Sequence, residues 1–322
     1  MPDLRFGVHL ISRGSGDPST TPFPSHKVML EDGVQAEHFG FDAVWLPDHL
    51  YFERDGALET YPDVFTLLVA LAVRTERGNL GTNVLAATFR HPALLAKMAG
   101  ALQELADGRF ILGLGAGNQP KEHAAFGFDF EHRVGRLKEY LPILTGLLDG
   151  QTVTFEGRYF TVKEASLRTV VPEIPLWLAS GGPQMFDLTA RYASGWNVAG
   201  GGRDPAQIRD RFAAFEAACK ARSRSLSDFT VCKMTFMAIA PDAAASRAMA
   251  DELATKTGLT PEALAARTLV GTPDEIAAWL RTLTDLGVSH HILQIQSSDQ
   301  WPNCADALEF VAREVIPRVR HP

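Results

Sequence analysis

Four short stretches of the 322-residue chain combine residue types that could bind a ligand or move a proton. Pro47-Asp48-His49 sets a carboxylate beside an imidazole, whose ordinary pKa near 6.5 lets it exchange protons at neutral pH. Asp48 could orient or charge that ring; the plain alternative is an aspartate capping a turn beside a partly solvated histidine. Arg90-His91-Pro92 puts two basic groups at a helix start, where an anion is favoured, unless Arg90 is spent on a surface acid. Gly113-Leu-Gly-Ala-Gly117-Asn-Gln-Pro-Lys-Glu-His123 removes side chains so that backbone could touch a flat ligand or a phosphate, or simply make a tight turn. It departs from the dinucleotide fingerprint GxGxxG, because position 118 is Asn. Ala179-Ser180-Gly181-Gly182-Pro183 offers a hydroxyl and two bare amides directly before a helix, which can seat a phosphate or merely cap the helix. This is the strongest anion site readable from residue types.

Other chemistries find no support. HExxH, CxxC, GxxxxGK[ST], GxSxG and an EF-hand loop are all missing, so metal and P-loop mechanisms are not expected. Cys219, Cys232 and Cys304 are odd in number and lack metal spacing, and they read as reduced buried thiols.

The elements that must position these residues follow a βαβα order. Apolar runs without polar alternation, which suit strands buried on both faces, occur at Arg5–Leu10, Ala43–Leu46, Leu80–Leu85, Phe110–Leu114, Leu176–Ala179, Trp196–Ala199, Thr230–Ile239 and His290–Ile295. Helical spacing covers Lys27–Phe39, Val64–Arg77, Pro92–Leu105, Arg133–Leu148, Pro183–Ala193, Pro205–Arg222, Ala243–Lys256 and Pro273–Leu286. Pro92, Pro183, Pro205 and Pro273 stand in first turns, and Gly40, Gly108, Gly150, Gly195 and Gly287 follow helix ends. Eight strands with eight helices predict an α/β fold, a (β/α)8 TIM barrel; an open doubly wound sheet is the alternative. In a barrel, residues just after the strands converge on one mouth, and the four stretches above follow strands two to five. Between strands four and five lies an insertion, Asn118–Pro175, with a hairpin at Thr152–Val162 turning at Glu156-Gly157. It is a candidate lid or pocket wall. No linker, repeat or shift in composition divides residues 1–322, which read as a single domain.

Composition narrows the function classes. Hydrophobic residues make up 46% of the chain and charged ones 21%, as in a soluble globular protein. A net charge of −7, with no basic run, argues against nucleic acid as a partner. Neither a secretory signal nor an apolar stretch of roughly 18 residues is found, so a cytoplasmic protein away from the membrane is expected.

Over essentially its whole length the chain resembles the luciferase-like monooxygenase superfamily, barrel enzymes that use FMN or the deazaflavin F420. The resemblance is carried by Gly40-Phe-Asp-Ala-Val-Trp-Leu-Pro-Asp-His49, Leu80-Gly-Thr-Asn-Val-Leu85, Arg90-His-Pro-Ala-Leu-Leu-Ala-Lys97 and Leu105-Ala-Asp-Gly-Arg-Phe-Ile-Leu-Gly-Leu-Gly-Ala-Gly117. It continues in Phe155-Glu-Gly-Arg-Tyr-Phe160, Pro175-Leu-Trp-Leu-Ala-Ser-Gly-Gly182, Ala190-Arg-Tyr-Ala-Ser-Gly-Trp-Asn197 and Val270-Gly-Thr-Pro-Asp-Glu275. The resemblance implies a cofactor ring in the barrel mouth and a cofactor phosphate near Ser180, Gly181 and Gly182. It further implies a non-proline cis peptide between Asn83 and Val84 behind the ring, and ring contacts from Ala116 and Gly117, with Asn118 beside them. By the same resemblance, Asp48 and His49 lie at the reacting face, with His49 as proton acceptor or substrate anchor. F420-dependent sugar-phosphate dehydrogenases carry a Glu proton donor where this chain has Asn118, an amide that cannot titrate. Glu122, four residues on, matches a Glu frequent in other subgroups, and the sequence leaves its direction open. The implied activity is an F420-dependent hydride transfer to or from a small organic substrate. An FMN-dependent monooxygenase supplied by a partner reductase is the alternative, and a non-catalytic flavin-binding barrel a third reading. A homodimer packed through Val64–Arg77 and Pro92–Leu105 is also expected by analogy.

Overall fold

Strands that read as unbroken apolar runs must be covered on both faces, and eight of them meet that demand by closing on themselves. The computed structural model describes residues 4–10, 25–54, 57–167, 173–200, 202–296, 300–301 and 304–321. Its barrel strands are Arg5–His9, Ala43–Leu46, Asn79–Thr82, Phe110–Gly115, Leu176–Ser180, Gly195–Val198, Thr230–Ile239 and His290–Ile295. Each pairs in parallel with the next in chain order, as in Val8 beside Val44 and Leu178 beside Trp196. The ring closes where Phe6 lies beside His291 and Leu112 beside Leu176. An open doubly wound sheet has no such closure, so the fold is the (β/α)8 barrel. Helix starts carry the expected devices. Pro92, Pro183, Pro205 and Pro273 sit in first turns, and Thr272 and Glu275 form a reciprocal capping box.

The departures have local causes. The run expected as strand Leu80–Leu85 breaks after Thr82 at a cis peptide between Asn83 and Val84, then resumes as Leu85–Ala86 beside Leu114 and Gly115. The helix expected over Val64–Arg77 stops at Arg74, because the Arg109 guanidinium collects the carbonyls of Ala72, Thr75 and Gly78 at 2.9–3.0 Å. The helix count also hides a change of place. Helix Ala243–Thr257 belongs to an insertion after the seventh strand, with helix Pro261–Arg267 and strand Leu269–Gly271, and the helix following the eighth strand is Cys304–Glu314. The hairpin in the insertion after the fourth strand is present as Val153–Glu156 against Thr161–Ala165. Its turn spans 157–160 because the Glu139 carboxylate accepts from the amides of Arg158, Tyr159 and Phe160. A short hairpin, Tyr51–Arg54 with Ala57–Thr60, was not expected.

Side chains alternate between the outer core, under the helices, and a plug inside the barrel. The plug is Ala43, Trp45, Ile111, Trp177, Cys232 and Ile292. Two indole rings fit there only because the neighbouring strands carry glycine. A Cβ on Gly7, Gly81 or Gly195 would lie 2.3 Å from Trp45 or Trp177. Trp45 Nε1 donates to His290 Nε2 at 3.2 Å, and burial pushes His290 down to about 3, so it is a neutral acceptor. The plug closes the barrel's lower half and leaves the C-terminal mouth open to a ligand.

Candidate functional site

A cavity of about 1140 Å³ occupies that mouth, larger than the roughly 300–1,000 Å³ of a single-ligand site. Asp48, His49, Asn83, Val84, Ala116, Gly117 and Asn118 all line it, so seven residues singled out in the sequence meet at one place.

The expected Asp48–His49 partnership gives way to two other pairs. Asp48 is buried and holds Arg90 with both oxygens, Nη1 to Oδ2 at 2.6 Å and Nη2 to Oδ1 at 2.9 Å, while Oδ2 also accepts from the Ala86 amide. Burial pushes the Asp48 carboxyl up and the Arg90 guanidinium pulls it back. Arg90 is therefore committed to Asp48 rather than to an outside anion, and His91 is a helix cap whose Nδ1 accepts from Ala93. The group beside the His49 ring is Glu122, which faces the cavity with Oε2 and Oε1 at 3.2 and 3.3 Å from Nδ1. Glu122 also accepts from the amides of Leu50 and Tyr51. Burial opposes its charge, but His49 and those amides outweigh burial and hold it below the usual carboxylate range. A carboxylate on Nδ1 fixes the imidazole tautomer and leaves Nε2 as the basic nitrogen. Helix Pro120–Phe126 brings Glu122 into place. The next residue, His123, pins that helix by donating from Nδ1 to the Gln119 carbonyl and accepting at Nε2 from Thr88, both at 2.7 Å.

The glycine run after the fourth strand makes room for protein neighbours. A Cβ on Gly113 would strike the Thr82 carbonyl, one on Gly115 the Val84 side chain, and Gly117 has φ +90° with His123 at 3.1 Å. Those absences let the cis Asn83-Val84 segment lie across the mouth. Asn83 is held from three strands: its carbonyl accepts from His9 Nε2 at 3.1 Å, its Oδ1 from Asn197, and its Nδ2 donates to Met234 Sδ.

None of the three residues expected to seat a phosphate, Ser180, Gly181 and Gly182, lines the cavity, and the most buried of them is Ser180. It is 1% exposed, its hydroxyl accepts from Thr189 at 3.0 Å, and it does not line the cavity. Strand alternation explains this, since Trp177 and Ala179 face inward and Ser180 therefore shares the outward face of Leu178. The seat that remains is main chain: Gly182 precedes helix Pro183–Tyr192 without a side-chain cap, and Ala179 and Met185 on either side line the cavity. The Gly181 carbonyl accepts from Arg211. The insertion contributes its first residues, Asn118, Gln119, Glu122, His123, Arg133 and Val134, to the wall, whereas its hairpin does not reach it.

Residues within the strands, and not only those just after them, line the cavity. His9, Asn197, Met234 and Gln294 line the cavity from the first, sixth, seventh and eighth strands, and each polar one interrupts an apolar run, a signal that was available. His9 Nδ1 and Gln294 Oε1 are buried with no hydrogen-bond partner among the described residues. Burial pushes His9 down to about 4 against the raising effect of the Asn83 carbonyl and of the neighbouring Gln294 side chain, so with Nε2–H spent on Asn83 its Nδ1 is an acceptor set beside Gln294. The floor of the mouth calls for a ligand edge that donates.

A barrel with donor-seeking groups at its floor, a His–Glu pair on its wall and an uncapped helix start at its rim is the frame of a cofactor-dependent barrel enzyme. Residues 4–260 match the family model for luciferase-like monooxygenases, and the chain belongs to that family. It is 30% identical, over 98% of both chains, to an F420-dependent glucose-6-phosphate dehydrogenase of Microbacterium testaceum. With a 5,10-methylenetetrahydromethanopterin reductase of Methanolobus tindarius it shares 28% identity over 87% of this chain and 93% of that one. A solved F420-dependent secondary alcohol dehydrogenase, in complex with an F420-acetone adduct, matches with a TM-score of 0.80 at 21% identity, covering 99% of each chain. The protein is an oxidoreductase of the luciferase-like class. No helix among the described residues is long and apolar enough to cross a membrane.

Proposed function

We propose that this protein transfers a hydride between F420 and a small organic substrate, with His49 handling the accompanying proton. The observation that supports it most directly is the His49–Glu122 pair on the wall of a cavity whose floor presents two unfilled acceptors. An N–H on the pyrimidinedione edge of a flavin or deazaflavin suits His9 Nδ1 and Gln294 Oε1. The main chain around Val84, Ala116 and Gly117, with Asn118 beside it, would bound the ring, and the amides at Gly181 and Gly182 would meet its phosphate. When bound, F420 supplies two-electron hydride chemistry and activates oxygen poorly. His49 takes the substrate's proton at Nε2 in one direction and returns it in the other, while Glu122 stays ionised and supports the imidazolium. Asp48 acts through Arg90 to hold the loop after the second strand. Asn118 does not titrate and has no part in proton transfer.

A parallel titration of the purified protein with F420 and FMN, followed by cofactor fluorescence, tests the cofactor. Tight F420 binding with FMN at least about tenfold weaker, and no substrate-dependent oxygen uptake, is expected. The reverse order with oxygen consumption overturns the reading in favour of a monooxygenase that needs a reductase.

The same reading includes a homodimer. Val69 and Val73 on helix Val64–Arg74, and Leu94 and Leu105 on helix Pro92–Leu105, are 38–66% exposed, an apolar surface on the two adjacent helices expected to pair. Light scattering should give twice the 35.1 kDa chain mass, with Val73→Glu shifting it to one; a wild-type monomer removes the proposal.

A further inference from the structure

The helix after the sixth strand, Pro205–Lys220, buries Ile208, Phe212, Phe215 and Cys219, an apolar stripe with the spacing of one helix face. Arg211 stands on that stripe, three residues after Ile208, where a hydrophobic side chain is the rule, while Arg209 and Asp210 beside it are exposed. Its guanidinium ends between two loops. Nη1 donates to the carbonyl of Gly181, in the loop after the fifth strand, at 2.8 Å. Glycine makes room for it on both sides. A Cβ on Gly181 would lie 2.8 Å from Nη1, and one on Gly200, after the sixth strand, 3.0 Å from Nη2. The two loops also meet through main chain, since the Ala199 amide donates to the Ser180 carbonyl at 3.2 Å.

Arg211 is not spent on an acid. No carboxylate pairs with it among the described residues, and its Nε is buried without a hydrogen-bond partner among them. Its charge is felt at Lys233, which burial and then Arg211 push down to about 8. A guanidinium in this state is costly beside the hydrophobic residue that the stripe would otherwise carry. What it fixes is a peptide plane. The Gly181 carbonyl and the Gly182 amide belong to one trans peptide and point in opposite directions. With the carbonyl drawn to Arg211, which does not line the cavity, the Gly182 amide is turned away from the arginine, and Ala179 and Met185 on either side of it do line the cavity. Neither the Gly181 nor the Gly182 amide donates to another described residue.

We propose that Arg211 is a positioning residue for the cofactor's phosphate, holding the Gly181–Gly182 peptide from behind so that the free amides before helix Pro183–Tyr192 stand preformed for that group. It acts through the main chain, as a support that removes the need to order the loop on binding. The inference rests on the phosphate placement in the reading above, but not on the choice between F420 and FMN, since both carry a phosphate.

The test uses two pairs of ligands that differ by the phosphate alone, the deazariboflavin of F420 with its 5′-phosphate and riboflavin with FMN, each titrated into the full-length protein and followed by fluorescence. Wild type should bind the phosphorylated deazaflavin about tenfold or more tightly than its partner. In Arg211→Met that gain should fall to about twofold or less, with the affinity for unphosphorylated deazariboflavin unchanged. Arg211→Lys, which can still donate to the Gly181 carbonyl, should keep most of the gain. Should Arg211→Met fold poorly, Arg211→Gln, shorter and neutral, is read in the same way. A gain that survives in the neutral variant overturns the proposal, as does an equal weakening of both members, which is what a merely structural arginine would give. A wild type that gains nothing from the phosphate in either pair overturns it too. If neither deazaflavin binds, but FMN gains over riboflavin in wild type and loses that gain in Arg211→Met, the F420 reading fails and Arg211 keeps its role.

Discussion

Replacing His49 by Ala should lower turnover by about 10²–10⁴-fold while F420 affinity changes by less than about threefold. The ring is part of the cavity wall and three-quarters buried, yet the polar atoms assigned to the cofactor edge lie on the opposite floor, so removing it takes away proton handling and leaves the cofactor contacts. Glu122→Gln retains an oxygen that can accept from Nδ1 but loses the charge that stabilises an imidazolium. It should cost at least about 10-fold, the lower bound seen for carboxylates that orient metal-bound histidines, and at most the about 10⁴-fold seen when an amide replaces the carboxylate beside a reacting histidine. If the two residues act as a unit, the double variant will be no slower than His49→Ala alone. Turnover is followed by the change in F420 fluorescence with glucose-6-phosphate and 2-propanol as trial donors. Additive losses would separate the pair, and unchanged turnover in His49→Ala would remove His49 from the mechanism. Across pH, Glu122 is held below the usual carboxylate range, so it stays ionised at neutral pH and loses its support only as pH falls through its lowered pKa.

Much of this frame was legible because barrel strands are covered on both faces and read as plain apolar runs. Pro92, Pro183, Pro205 and Pro273 mark helix starts by the geometry of their own rings. Pairings between side chains were a different matter. Asp48 meets Arg90 across 42 positions and His49 meets Glu122 across 73, contacts that exist only once the barrel closes. Adjacency in sequence suggested Asp48 with His49, but neighbours just past a strand end need not share a direction. The outward direction of the Ser180 side chain follows from strand alternation. Trp177 is a plug residue, and counting three positions along a strand places Ser180 on the opposite face. Lys233 lines the cavity from inside a strand, and nothing in Val-Cys-Lys-Met announces that an insertion roofs the strand's outer side.

Arg90→Met should destabilise the fold by about 3–5 kcal/mol at pH 7, because it leaves the Asp48 carboxylate buried beside an apolar side chain. Both members are shielded, with side-chain exposures of 14% and 3%, so water cannot replace the guanidinium as it would at the surface. The sign of the pH dependence follows from the direction of the Asp48 shift. A carboxyl raised by burial contributes stability that is complete below the usual Asp pKa of about 3.9 and is lost as pH rises through its folded value. In wild type Arg90 limits that loss; without it the folded pKa climbs further and the loss grows. The deficit should therefore be largest at neutral pH and shrink toward pH 5, read from urea unfolding at both values. Asp48→Asn should also destabilise, leaving Arg90 buried without its counter-charge, but with no such recovery in acid because no carboxyl remains to be protonated. A deficit below about 1 kcal/mol for Arg90→Met, or one independent of pH, would mean that the pair behaves as a surface bridge and that the loop carrying His49 is held by something else.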